Sequence, residues 1–171
     1  CIRDSQEGLD LEEIGKSMDA TINFPENENL KKINNEELLE LPVDILIPAA
    51  LSDQITKENV DEIKAKIILE MANAPVTHEA DDILYENNTT VIPDILANAG
   101  GVIVSYYEWV QNRENSKWSE EEVDEKLKQQ ITKSYKDTVK TQSESQISMR
   151  KAAYKFAVER VLEAEKNRGW I

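Results

Sequence analysis

Three short apolar runs, at residues 43–47, Ile67–Leu69 and residues 89–92, recur at an interval of about 24 residues and narrow the folds open to this chain. They are rich in Val and Ile and lack the apolar and polar alternation of a half-solvated sheet. That pattern predicts parallel strands covered on both faces. Ala20-Thr21-Ile22-Asn23 is a weaker, earlier candidate strand. Helix-start residues stand between the runs: Asn34 or Asn35 before Glu36-Glu37-Leu38-Leu39, Thr56 before residues 57–64, and Thr77 before residues 78–85. Asn87-Asn88 should end the last of these, because asparagine tolerates left-handed backbone. Strand, helix and strand in series give right-handed crossovers and a twisted parallel sheet.

Beyond Trp118 the period is helical throughout, and two helices are expected. Ser119 with Glu122 forms a capping box for the first, whose buried stripe is Val123, Leu127, Ile131, Tyr135 and Val139. Ser148 caps the second, with Met149, Ala153, Phe156, Val161 and Ala164 as its stripe and Gly169 as its stop. The expected fold is α/β: a parallel sheet with flanking helices, followed by C-terminal helices.

A length of 171 residues suits one domain with a helical appendage. The formal charge of −14 and the lack of a basic cluster argue against nucleic acid as a partner. No apolar run approaches a membrane span. One cysteine makes no internal disulfide, which fits a reducing compartment such as the cytoplasm. Cys1 opens the chain with no leader before it, which predicts a piece of a longer chain and not a lipidated amino terminus.

Ligands of open parallel sheets bind beyond the carboxyl ends of the strands. The runs here end in Pro48-Ala49-Ala50, in Ala72-Asn73-Ala74-Pro75 and in Pro93 through Asn98-Ala99-Gly100-Gly101. Small side chains let a flat ligand approach the main chain, and a carboxamide both donates to and accepts from a ribose hydroxyl or an amide. The same residues also make ordinary turns and caps, but three such loops at equivalent positions point to one binding edge suited to a dinucleotide. No G-x-G-x-x-G phosphate loop occurs among the five glycines. His78, the single histidine, has no partner for a Ser-His-Asp set and is expected at the surface. Zinc and EF-hand spacings are missing, so no metal site is expected.

The residues Val43-Asp44-Ile45-Leu46-Ile47-Pro48-Ala49-Ala50-Leu51, then Pro93-Asp94-Ile95-Leu96-Ala97-Asn98-Ala99-Gly100-Gly101-Val102, then Val104-Ser105-Tyr106-Tyr107-Glu108-Trp109-Val110-Gln111-Asn112 resemble the carboxy-terminal half of a glutamate dehydrogenase. The ending, from Ala152-Ala153-Tyr154 to Arg168-Gly169-Trp170, is similar too. The resemblance implies an NAD- or NADP-dependent oxidoreductase that deaminates L-glutamate to 2-oxoglutarate and ammonium. It also implies a Rossmann-like sheet, incomplete because the first strand and glycine loop are missing. Residues 1–118 would be the partial dinucleotide-binding domain, and residues 119–171 helices packing back towards the cleft.

By the same resemblance, Ala49 and Ala50 lie along the coenzyme, Asn73 near the nicotinamide ribose, and Asn98 on the nicotinamide side of the cleft. Ser105 binds the side-chain carboxylate of glutamate; the local alternative is a helix serine bonded to its own backbone. Proton-transfer residues, and most contacts of the family's homo-hexamer, belong to an amino-terminal domain, so no catalytic residue is expected here and the chain alone should be inactive. Met71 and Ala74 depart from the family's smaller residues and glycine around Asn73. Met71 either narrows the coenzyme approach or turns into the core. The alternatives are a related branched-chain or aromatic amino-acid dehydrogenase, and a non-catalytic truncated paralogue acting as an interaction module.

Overall fold

The computed structural model describes residues 33–170, and contacts gather those from Asn35 onward into one compact unit. The expected strand at residues 20–23 lies outside the described residues.

Helix α1, Asn35–Leu39, leads into strand β1, Ile45–Leu46; strand β2 is Ile67–Leu69 and strand β3 is Thr90–Ile92. They pair in parallel in the order β1-β2-β3. The register sets Leu46 beside Ile68 and Ile68 beside Val91. All three are buried, so one row of side chains crosses the sheet and seats it on Ile55, Val60, Ala65, Val76, Ala80 and Leu84. Ile68 is fully enclosed, a burial worth about 2–3 kcal/mol.

The other face departs from expectation. Ile45 is 53% exposed and Ile47 is exposed as well, while Ile67, Leu69 and Ile92 are half-buried. The unbroken apolar pattern is that of a doubly covered sheet, yet among the described residues only one face is fully covered.

Between β2 and β3 the connector is helix α2, His78–Glu86, whose Thr77 hydroxyl accepts from the Ala80 amide at 3.3 Å. Asn88, at φ +60°, turns the chain out of it. His78 is exposed. The connector between β1 and β2 is not the expected helix over residues 57–64. It holds a single 3-10 turn, Val60–Glu62. The Asn59 carboxamide accepts from the Thr56 amide at 2.8 Å and donates to the Gln54 carbonyl at 2.9 Å. These side-chain bonds offer the backbone a turn in place of a helix, and the parallel bridge from Ile55 to Val76 fixes the segment before it.

After β3, helix α3, Asp94–Ala97, breaks at Asn98 and continues as helix α4, Ala99–Glu114. Helix α5, Glu120–Ser145, and helix α6, Met149–Arg168, complete the fold. Tyr107 packs against Trp118, their ring centres 5.7 Å apart, and its hydroxyl donates to the Lys126 carbonyl, which fastens α4 to α5. Gly100 faces Ile131 and Leu127 of α5, where an added methyl would make ordinary contact. The expected stripe of α6 holds for its first turns, with Met149 and Ala153 buried, but Val161 is exposed because the helix runs beyond its described neighbours. No described helix is long and apolar enough to cross a membrane.

Candidate functional site

Parallel pairing places the carboxyl ends of β1, β2 and β3 on one edge, and hydrogen bonds between successive turns hold that edge together. The Pro48 carbonyl accepts from the amides of Met71 and Ala72, at 3.1 and 2.9 Å. The Ala74 amide donates to the Asp94 carboxylate at 2.8 Å. Between them, the Asn98 carboxamide donates to that of Asn73 at 3.1 Å. Asn73 and Asn98 are thus brought together, with Ala49 and Ala50 exposed on the adjoining turn. Met71 is 45% exposed, so it lies at the rim and not in the core.

Asn98 begins α4, and Gly101 and Ser105 follow it at the third and seventh positions, on one face of the helix. Both are exposed, and a methyl added at Gly101 would meet nothing within 4 Å. Seven residues of helix separate Asn98 from Ser105 by about 10 Å. On α5 the hydroxyls of Thr138, Thr141 and Ser143 return to backbone carbonyls one turn earlier. The Ser105 hydroxyl has no such partner among the described residues, which leaves it available on the open face.

Beneath the edge lies a cluster of charges. Glu70, fully buried at the end of β2, accepts from Arg150 Nη2 at 2.5 Å and from the Asp94 amide at 2.7 Å. Arg150 Nε stands 3.0 Å from Asp81 Oδ1 and Nη1 stands 3.5 Å from Asp94 Oδ1. Ser148 donates to Asp81 at 2.9 Å. Burial alone would lower the Arg150 pKa, but the Glu70 and Asp81 carboxylates outweigh it and hold the guanidinium charged, above its ordinary value. A cleft of about 190 Å³, lined by Asp81 and Ser148 of this cluster together with Tyr85, Asn88 and Gln142, opens near the amino end of β3, away from the carboxyl edge.

The family model for Glutamate/Leucine/Phenylalanine/Valine dehydrogenase matches residues 2–169. The chain belongs to that family. It is 46% identical over 167 residues to the cryptic catabolic NAD-specific glutamate dehydrogenase GudB of Bacillus subtilis, covering 96% of this chain and 38% of that protein. Among solved structures it is similar to glutamate dehydrogenase from Peptoniphilus asaccharolyticus, with a TM-score of 0.70 and 35% identity over 98% of this chain and 37% of the other. It is also similar to the hetero-hexameric glutamate dehydrogenase of Thermus thermophilus in a Leu-bound form, with a TM-score of 0.77 and 29% identity over 96% of this chain and 38% of the other. The chain therefore spans little more than a third of the length of these relatives.

Sequence reasoning missed the buried charges of this Glutamate/Leucine/Phenylalanine/Valine dehydrogenase chain. Arg150 is 80 positions from Glu70, and nothing local reports the pairing. One signal was present: Arg150 sits between Met149 and Ala153 on the apolar stripe of α6, where a charge needs a buried partner.

Proposed function

We propose that this chain forms the coenzyme-facing wall of an NAD-dependent glutamate dehydrogenase, within a longer protein whose remaining part carries proton transfer. The observation that carries the reading is the Asn73–Asn98 pair at the carboxyl edge, with Ser105 further along the same open helix face. The likeness to an NAD-specific glutamate dehydrogenase supports NAD over NADP and glutamate over other amino acids.

The residues fit one end of the coenzyme. Paired carboxamides suit a nicotinamide amide and a ribose hydroxyl, and the empty space beside Gly101 leaves room for a flat ring. Ala49 and Ala50 allow close approach along the adjoining turn. No glycine-rich phosphate loop is present in the sequence, so the pyrophosphate would be held by residues outside this chain. NAD, when bound, supplies the hydride acceptor. This chain's part is orientation: Asn73 and Asn98 fix the nicotinamide end, and Ser105 donates to the distal carboxylate of glutamate. In this reading residues 1–118 belong to the dinucleotide-binding domain, residues 119–171 pack back on it, and the whole protein assembles as a hexamer largely through its other domain.

The test is steady-state kinetics of the full-length protein, following reduced coenzyme. Glutamate with NAD should give the highest kcat/KM, with 2-oxoglutarate and ammonium as products. Equal or better use of leucine or phenylalanine would assign the protein to another substrate class, and failure to turn over any amino acid would support a non-catalytic role.

A further inference from the structure

We infer that Arg150 is a positioning residue for the coenzyme edge, acting through Glu70 and Asp94 to hold the Asn73 and Asn98 turns together; this assignment of a role rests on the function proposed above. The two asparagines stand on different turns, and each turn reaches the same guanidinium. Asp94 accepts from the Ala74 amide next to Asn73, and the Asp94 carbonyl accepts from the Asn98 amide at 3.0 Å. Glu70 accepts from the Asp94 amide and so fixes the start of α3 against the end of β2. Arg150 pairs with both carboxylates and with Asp81.

The Asn73 turn needs such a restraint. Ala74 adopts φ +46°, a left-handed conformation that is costly for a residue with a Cβ, so the turn does not hold its shape unaided. The carboxylates also need it. Glu70, Asp81 and Asp94 converge on one guanidinium, and without it they would repel one another and part the turns they carry. Lysine cannot replace it: an ammonium is a single point of charge, whereas the planar guanidinium reaches three carboxylates in different directions.

The test is Arg150→Lys in the full-length protein, with Lys151→Met, which removes the neighbouring exposed pair to Asp82, as the control. Amide hydrogen exchange read by mass spectrometry should accelerate by about tenfold or more in peptides covering residues 71–76 and 93–98, while peptides covering Ile68 and Val91 keep their protection. KM for NAD should rise by about tenfold and KM for glutamate by less than twofold, and adding Asn98→Ala should cost little further. Exchange that rises evenly across the fold, or effects that simply add, would overturn the inference and leave Arg150 a general stabiliser. If the wild-type protein fails to oxidise glutamate, the functional reading falls and the exchange pattern alone decides whether the guanidinium holds the turns. If Arg150→Lys does not fold, Asp94→Asn should loosen residues 71–76 in the same local way; unchanged exchange there would equally refute it.

Discussion

Ala74 sits where the resemblance predicts glycine, and its φ of +46° explains why glycine is favoured there. Ala74→Gly should relieve the left-handed strain, partly offset by the greater freedom of glycine in the unfolded chain, for a net gain of about 0.5–1 kcal/mol. Denaturant unfolding with an unchanged slope would measure it, and a loss of stability would show that the turn is unstrained. Ser105→Ala removes a donor from an otherwise open helix face without disturbing any described side-chain bond. In the full-length enzyme the change should cost about 1.5–3 kcal/mol in glutamate use, roughly ten- to a hundredfold in kcat/KM, with KM for NAD nearly unchanged. Unaltered constants for glutamate would remove Ser105 from the site. The residue types at these positions were readable from the chain. The bond from Asn98 to Asn73 was not, since it spans 25 positions and exists only once the sheet pairs.

Secondary structure was legible wherever local chemistry and packing agree. The strands and α2 follow from Val and Ile runs, a threonine cap and an asparagine stop. Residues 57–64 show the opposite case, because the Asn59 side chain captures the backbone that a helix would have used. The amino terminus of α5 is more subtle. The Ser119 hydroxyl accepts from the Glu122 amide at 3.2 Å, as the capping box predicts, and the neighbouring Glu121 carboxyl also feels this helix start. A backbone amide first, and Ser119 second, hold the Glu121 carboxyl below its ordinary value of 4.5. A depressed acid stabilises the fold above its unfolded pKa and loses that contribution as pH falls through the lower folded value. An NMR titration of Glu121 should therefore give a pKa below the ordinary range, moving up in Ser119→Ala. An ordinary value in both proteins would show that the cap is made by the hydroxyl alone.

At the level of the molecule, the faces of α4 and α6 stay apolar without a described neighbour: Tyr106, Trp109, Val158 and Val161 are all exposed. In the function proposed, this chain, which covers little more than a third of its relatives' length, orients the nicotinamide, while its sequence holds no glycine-rich phosphate loop. Purified alone, it should show no glutamate-dependent reduction of NAD, and coenzyme reduction above a no-enzyme blank would refute the division of labour proposed here. The incomplete cover also explains why burial was the least legible property: a stripe of apolar letters records that something packs there, not what supplies the packing.

Because Arg150 pairs with a carboxylate 80 positions upstream, both asparagine turns are synthesised before the guanidinium that meets their acids. A ribosome adding about 5–20 residues per second releases both asparagine turns on the order of several seconds before that arginine is made. Until then Glu70, Asp81 and Asp94 lack the guanidinium they share in the folded structure. On the role proposed for Arg150, a message truncated between Asn98 and that arginine would yield both turns without the group that ties them to each other.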